Sequence, residues 1–260
     1  MHFSLSALAV LVCGTAAFAG VKTEVIDYKH GDARLEGYLA YDDSAAGKRP
    51  GVLVCHEWWG YNEYARKRAE QLAELGYVAF ALDMYGEGVQ AKDAQEAADK
   101  AAVFKKDRSL MRARAMAGLD VLRRHPKVDA DNLAAIGYCF GGTTALELAR
   151  AGADLKGVVS FHGGLDTPDP ADAKHIRGKI LVLTGADDPV VPPQQVAAFE
   201  SEMKEAKIDC NVISYPGAVH GFTNPASGDD PKKGVAYNKE ADEKSWAEMK
   251  AFFEKIFPKK

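Results

Sequence analysis

Gly137-Tyr138-Cys139-Phe140-Gly141-Gly142 sets a cysteine among small residues, after an apolar strand-like run and before a helical one. On so sharp a strand-to-helix turn the central side chain projects above a sheet, in the place serine takes in the G-x-S-x-G pattern. The helix beginning there favours a thiolate through its dipole. The backbone N–H of Phe140 is placed to serve as one half of an oxyanion hole. Such a nucleophile needs a base, and the base needs an acid to orient it. Downstream, Leu183-Thr184-Gly185-Ala186-Asp187-Asp188-Pro189-Val190-Val191-Pro192 puts two carboxylates after a strand, and Tyr215-Pro216-Gly217-Ala218-Val219-His220-Gly221-Phe222 puts an imidazole after another. Nucleophile, acid, histidine is one of the chain orders in which triads are built. His220 would take the proton from sulfur, and Asp187 or Asp188 would hold the imidazole and stabilise its cation. Taken singly, the cysteine reads as a buried residue on a glycine turn, the aspartate as a cap and the histidine as packing. Their joint occurrence in order, each at a strand end, favours chemistry.

The elements that must position these residues alternate. Residues 21–28 and 35–41 read as two strands able to pair antiparallel. Gly51-Val52-Leu53-Val54-Cys55-His56 is a continuous apolar run, as expected of a strand buried on both faces. Asn62 caps a helix that Gly76 stops, and 77–82 is the next buried strand. Residues 90–124 have helical periodicity with a break near Asp107. A strand at 132–138 leads into Cys139 and a helix to Arg150. Strands at 157–161, 179–184 and 211–215 follow, with a helix at 192–206 between the last two. The final helix, 238–257, carries Trp246, Met249, Phe253 and Ile256 on one face. No repeat, linker or composition break divides the chain. The expected fold is therefore α/β: one domain, a mostly parallel central sheet, helices on both faces. In such sheets the site lies beyond the carboxyl ends of the strands, where every motif above falls.

The 260 residues include 33 basic and 37 acidic side chains, a net charge of −4, with 47% hydrophobic and 27% charged residues. That balance excludes a disordered chain and a polybasic nucleic-acid binder. Ser4–Phe18 is apolar and uncharged and runs into Ala17-Phe18-Ala19-Gly20. It reads as an export signal cleaved after Ala19, which makes residues 20–260 a periplasmic or secreted chain. No later hydrophobic run could span a bilayer. Cleavage leaves Cys55, Cys139 and Cys210, an odd number, so at least one thiol stays free. Cys55 reads as a small core residue; a bond between Cys55 and Cys210 has no spacing signal behind it.

The three motifs resemble the dienelactone hydrolase family of the α/β-hydrolase superfamily, over about residues 22–257. The cysteine nucleophile is the discriminating feature. The resemblance implies that Asp188 rather than Asp187 is the acid, through the pattern Gly185-x-x-Asp188-x-x-Val191-Pro192. It also assigns His56-Glu57-Trp58-Trp59-Gly60: Glu57 matches a glutamate that meets the resting thiol and restrains it, and the N–H of Trp58 would complete the oxyanion hole. A carboxylate beside a thiol favours the neutral thiol. Members acting on dienelactone hold its carboxylate with two arginines. One ends a D-L-Y-A-R run, which here is Asp83-Met84-Tyr85-Gly86-Glu87; the other lies four residues after the catalytic histidine, which here is Asn224. With both cations missing, the machinery carries over but a carboxylate-bearing substrate does not.

Trp59, Tyr85, His162 and Phe222 are candidate pocket residues beside the motifs. No histidine lies four residues after His56, so His56-Glu57 does not open a helical zinc site, and no metal or organic cofactor is expected. The reading is a hydrolase that cleaves an ester or lactone of a small molecule through Cys139, His220 and Asp188, by way of an acyl-enzyme. A monomer is expected. The alternative is a non-catalytic member of the same fold that binds a small ligand.

Overall fold

The computed structural model describes residues 20–257; the export signal read in residues 1–19 lies outside them. The strands are β1 (Val21–His30), β2 (Ala33–Asp42), β3 (Arg49–Cys55), β4 (Val78–Ala81), β5 (Val128–Tyr138), β6 (Gly157–Phe161), β7 (Lys179–Gly185) and β8 (Cys210–Tyr215). The helices are α1 (Glu63–Glu74), α2 (Ala94–Lys106), α3 (Arg108–Arg124), α4 (Phe140–Arg150), α5 (Pro193–Glu205) and α6 (Lys239–Ile256). All strands join one sheet in the order β1-β2-β4-β3-β5-β6-β7-β8. β1 with β2 and β2 with β4 are antiparallel; every other neighbouring pair is parallel.

The continuous apolar runs are explained by cover on both faces. Along β3, Val52 and Val54 enter one core with Leu72 of α1 and Met249 and Phe253 of α6. Leu53 and Cys55 enter the other, with Met111 and Leu119 of α3, Leu146 of α4 and Phe199 of α5. Trp246 and Ile256 are half-buried against the first core, as the spacing in the last helix predicts. Cys55 is a core thiol whose titration burial pushes up. Strands β5, β6 and β7 separate it from Cys210 on β8, and Cys55, Cys139 and Cys210 are all free.

Asp107 makes the expected break: its N–H donates to the Val103 carbonyl at the end of α2, and its carboxylate accepts the Leu110 N–H at the start of α3. β5 starts at Val128, ahead of the expected residue 132. Its register against β3 jumps from Pro50 opposite Asp129 to Gly51 opposite Leu133. The extra stretch includes Asp131 and Asn132, and Asp129 gathers it by accepting from Asn132 Nδ2 and the Asp131 N–H. Such a stretch reads as a turn in sequence because the bulge is made of turn-forming residues.

Every residue of α4 is buried, including two charges. Arg150 donates to both carboxylate oxygens of Glu202 at 2.7 and 2.8 Å and to Glu147 at 3.0 Å. Arg112 of α3 donates to the second oxygen of Glu147 at 2.8 Å. The network ties α3, α4 and α5 beneath the turn that carries Cys139. Arg150→Ala would strand two buried carboxylates and should lower the unfolding free energy by about 3–5 kcal/mol. Urea denaturation measures this, and a loss below about 1 kcal/mol would show that the network is dispensable.

Candidate active site

Cys139 follows β5 with φ 52° and ψ −117°, a left-handed conformation rare outside glycine. Close packing forces the turn. A Cβ on Gly137 would come within 1.9 Å of the Gly141 carbonyl oxygen, and one on Gly141 within 2.1 Å of the Cys55 carbonyl oxygen. Only glycine lets α4 start that near to β3 and β5. The Cys139 N–H is shared between the Phe161 carbonyl at 3.0 Å and Nδ1 of His162 at 3.1 Å. The sulfur is left partly exposed at the helix N-terminus.

The loops after β7 and β8 bring two further groups to the sulfur. His220 Nε2 lies 3.1 Å from Cys139 Sγ, and its Nδ1 lies 2.9 Å from Asp188 Oδ2. The other oxygen of Asp188 accepts the N–H groups of Val190 and Val191, which fixes the carboxylate. Asp187 points elsewhere and accepts the Gly217 N–H. Burial works against an imidazolium at His220, but Cys139 and Asp188 outweigh it and lift its titration to about 10. The imidazole is therefore a proton acceptor for the sulfur, already aligned and already stabilised as a cation.

Glu57 follows β3 and is 5% exposed. Its carboxylate accepts from Asn224 Nδ2 at 2.6 Å. The resemblance implies a glutamate on the resting thiol; here the thiol is engaged by His220 and the glutamate by Asn224. Asn224 cannot flip without loss, because its Oδ1 accepts the Ala226 N–H. Burial pushes the Glu57 carboxyl up, with Asn224 and His220 opposing. Trp58 is held through its neighbours. His56 accepts the Met84 N–H at Nε2, so its Nδ1–H donates to the Glu57 carbonyl. Gly60 N–H donates to that carbonyl too. Since the peptide is planar and trans, this directs the Trp58 N–H the opposite way. Among the described residues neither the Trp58 nor the Phe140 N–H is spent on an acceptor. The Tyr85 hydroxyl donates to the Trp58 carbonyl at 2.9 Å, and the Tyr85 ring packs on Phe140 and Phe104.

Two expected pocket residues do not line a cleft. His162 and Phe222 are both 0% exposed. His162 lies behind the nucleophile turn and Phe222 packs against it. Strand-end histidines next to glycines read as cleft residues, but the turn after β6 folds this ring under Cys139. Tyr85 and Trp59 are only partly covered, Trp59 set edge-on to Trp58. Sequence reasoning missed His56, Asn224 and Thr223 as supports. Asn224 was legible only as a lost cation, and Thr223 carried no signal beyond its nearness to His220. Among the described residues no cluster of three or more His, Cys, Asp or Glu side chains is arranged to hold a metal, and no helix is long and apolar enough to cross a membrane.

Comparison with known proteins agrees with this architecture. The model of the dienelactone hydrolase family matches residues 35–257. A Synechocystis protein described as "Putative carboxymethylenebutenolidase" is 26% identical over 249 residues, 90% of this chain and 97% of its own. The crystal structure of a dienelactone hydrolase-like promiscuous phosphotriesterase from metagenomic libraries superposes with a TM-score of 0.88 at 41% identity, over 92% of this chain and 99% of that one. A dienelactone hydrolase from Anabaena variabilis shares the fold with a TM-score of 0.64 at 21% identity, over 88% of this chain and 98% of that one. The chain thus belongs to the dienelactone hydrolase family and is a carboxylic-ester hydrolase of the α/β-hydrolase fold.

Proposed function

We propose that the protein cleaves uncharged esters or lactones of small molecules with Cys139 as nucleophile, His220 as base and Asp188 as the acid that orients it. The observation that carries this reading is the hydrogen-bonded line from Cys139 Sγ through His220 to Asp188, at 3.1 and 2.9 Å. Sulfur attacks the carbonyl carbon as the imidazole holds the thiol proton. The carbonyl oxygen becomes an oxyanion, met by the N–H groups of Phe140 and Trp58. As the tetrahedral species collapses, His220 gives its proton to the leaving alkoxide, and a thioester on Cys139 remains. Water, deprotonated by His220, then releases the acid and restores the thiol.

The absence of the two family arginines supports the choice of uncharged substrates. Glu87 and Asn224 stand in their places, and Glu57 is a further buried carboxyl at the site. A substrate carboxylate would meet no bidentate cation there. A second class, neutral phosphotriesters, has support in the 41%-identical metagenomic relative, which is described as a promiscuous phosphotriesterase. The stretch ending Ala17-Phe18-Ala19 supports an exported enzyme.

Cys139→Ala and His220→Ala should each lower turnover of p-nitrophenyl acetate about a thousandfold, with the fold intact by circular dichroism. Iodoacetamide should abolish turnover in step with alkylation of Cys139; full activity after alkylation would refute the nucleophile. In a screen of matched esters, lactones and triaryl or dialkyl aryl phosphates, with and without a carboxylate, kcat/KM should favour the uncharged member by about tenfold or more. A preference for anionic members would overturn the substrate reading. Amino-terminal sequencing of the mature protein from an exporting host should begin at Gly20, and an intact Met1 would reject cleavage.

A further inference from the structure

His162 is spent on a position that glycine would fill with less strain. Its φ is +41°, in the left-handed region, and the next two residues are Gly163 and Gly164. A side chain other than glycine is strained there. The ring is fully buried, so it gains nothing from solvent and cannot touch substrate.

Each polar atom of that ring is committed. Nδ1 accepts the Cys139 N–H at 3.1 Å, as the second acceptor beside the Phe161 carbonyl. An acceptor Nδ1 on a neutral imidazole places the proton on Nε2, and Nε2 donates to Thr223 Oγ1 at 2.8 Å. Thr223 lies on the loop that carries His220. Its hydroxyl also meets the Tyr64 hydroxyl at 2.7 Å, and its carbonyl accepts from Arg68 Nη2 at 2.9 Å. Arg68 is itself fixed by Asp242 of α6 at 2.6 Å and lies over the rings of Tyr64, Tyr138 and Trp246. The edge of the His162 ring also packs on the His220 ring, with centroids 5.3 Å apart.

We propose that His162 and Thr223 form a neutral clamp that sets the separation of the Cys139 sulfur and the His220 imidazole. One side of the clamp is the nucleophile's own backbone. The other is the histidine loop, which α1 and α6 anchor through Tyr64, Arg68 and Asp242. His162 and Thr223 are positioning residues: they act through Cys139 and His220, and the inference rests on that pair being the reacting one. The clamp works only with an uncharged ring. A proton on Nδ1 would face the Cys139 N–H, and a second cation would sit against His220. Burial, then His220 and Arg68, keeps His162 well below the ordinary histidine range. The other titratable groups about the reacting pair are Asp188, Glu57 and Tyr85.

The test uses Thr223→Val, which keeps shape and backbone bonds, and His162→Asn, which tolerates the left-handed backbone and offers an acceptor to Cys139 but cannot reach Thr223. Both are expected to cut kcat for p-nitrophenyl acetate at least tenfold with KM changed less than twofold. A second readout needs no substrate: the rate of Cys139 alkylation by iodoacetamide from pH 6 to 9, followed by peptide mass mapping. In the wild type the rate should vary less with pH than in the variants, because the imidazole is held against sulfur. In the variants it should fall about tenfold per unit below the ordinary thiol range near 8.5. Wild-type kcat and a wild-type alkylation profile in Thr223→Val would overturn the clamp, whatever becomes of the fold in His162→Asn. Loss of the alkylation profile in a protein whose Cys139→Ala variant still hydrolyses esters would keep the clamp and reject the catalytic reading.

Discussion

Cys139 sits in a backbone conformation that costs on the order of 1–3 kcal/mol, and the surroundings of the turn make any relaxed alternative worse. Gly137 and Gly141 let α4 press against the ends of β3 and β5. If the turn relaxed toward an ordinary helical entry, the sulfur would drop from above the sheet into that packing. α4 is buried along its whole length and is held from below by Arg150, Glu147 and Glu202. The strain at one residue is thus borne by a helix that has no freedom to move and by two glycines that leave no gap behind it. The exposed sulfur is what remains when every other direction is filled.

Charge in the site is arranged with similar economy. Asp188 and Glu57 lie near Cys139 and His220, and each has a different partner. Asp188 faces the imidazole with one oxygen and two backbone N–H groups with the other. Glu57 has only an amide donor, and burial pushes it toward the neutral acid. Glu87 belongs to a loop whose backbone Asp83 gathers by accepting from Tyr85 and Gly86. The buried Arg68 is committed to the Thr223 carbonyl, to Asp242 and to a ring of aromatics. Beside Cys139 there are thus two N–H groups without an acceptor among the described residues and one imidazole, while Arg68 is held by Asp242 and the Thr223 carbonyl.

Much of this was legible in the sequence, for identifiable reasons. The parallel strands are apolar on both faces, so runs such as Val52-Leu53-Val54 announce themselves, and glycine or asparagine marks the ends of α1. That Cys139, Asp188 and His220 would meet was legible because each lies within a motif fixed by backbone geometry. What sequence hid depends on contacts between distant segments. His162 read as a cleft residue because nothing local says which way a strand-end side chain turns. Asn224 read as a missing arginine, yet its amide is the donor that occupies Glu57. The start of β5 was hidden by a bulge written in turn-forming residues.

Sheet spacing explains why the histidine loop needs anchors at all. Cys139 and Asp188 leave strands β5 and β7, with β6 between them, so their strands stand about 10 Å apart. An imidazole with a hydrogen bond at each end can bridge that gap only if it lies nearly along the line between them. His220 arrives from β8, beyond Asp188, and its ring must reach back across β7 to the sulfur. The pairing of Tyr138 with Phe161 puts His162 beside Cys139, and that of Gly185 with Tyr215 puts the acid and histidine loops side by side. Register alone fixes where the loops leave the sheet, not how far the imidazole extends. That last distance falls to contacts made by the loop itself: the Gly234 carbonyl that accepts the His220 N–H, the Ala236 N–H on its carbonyl, and Thr223 against His162. A shift of one ångström at any of them moves the imidazole off the sulfur, and in the proposed reaction a misplacement of that size costs about a hundredfold in rate.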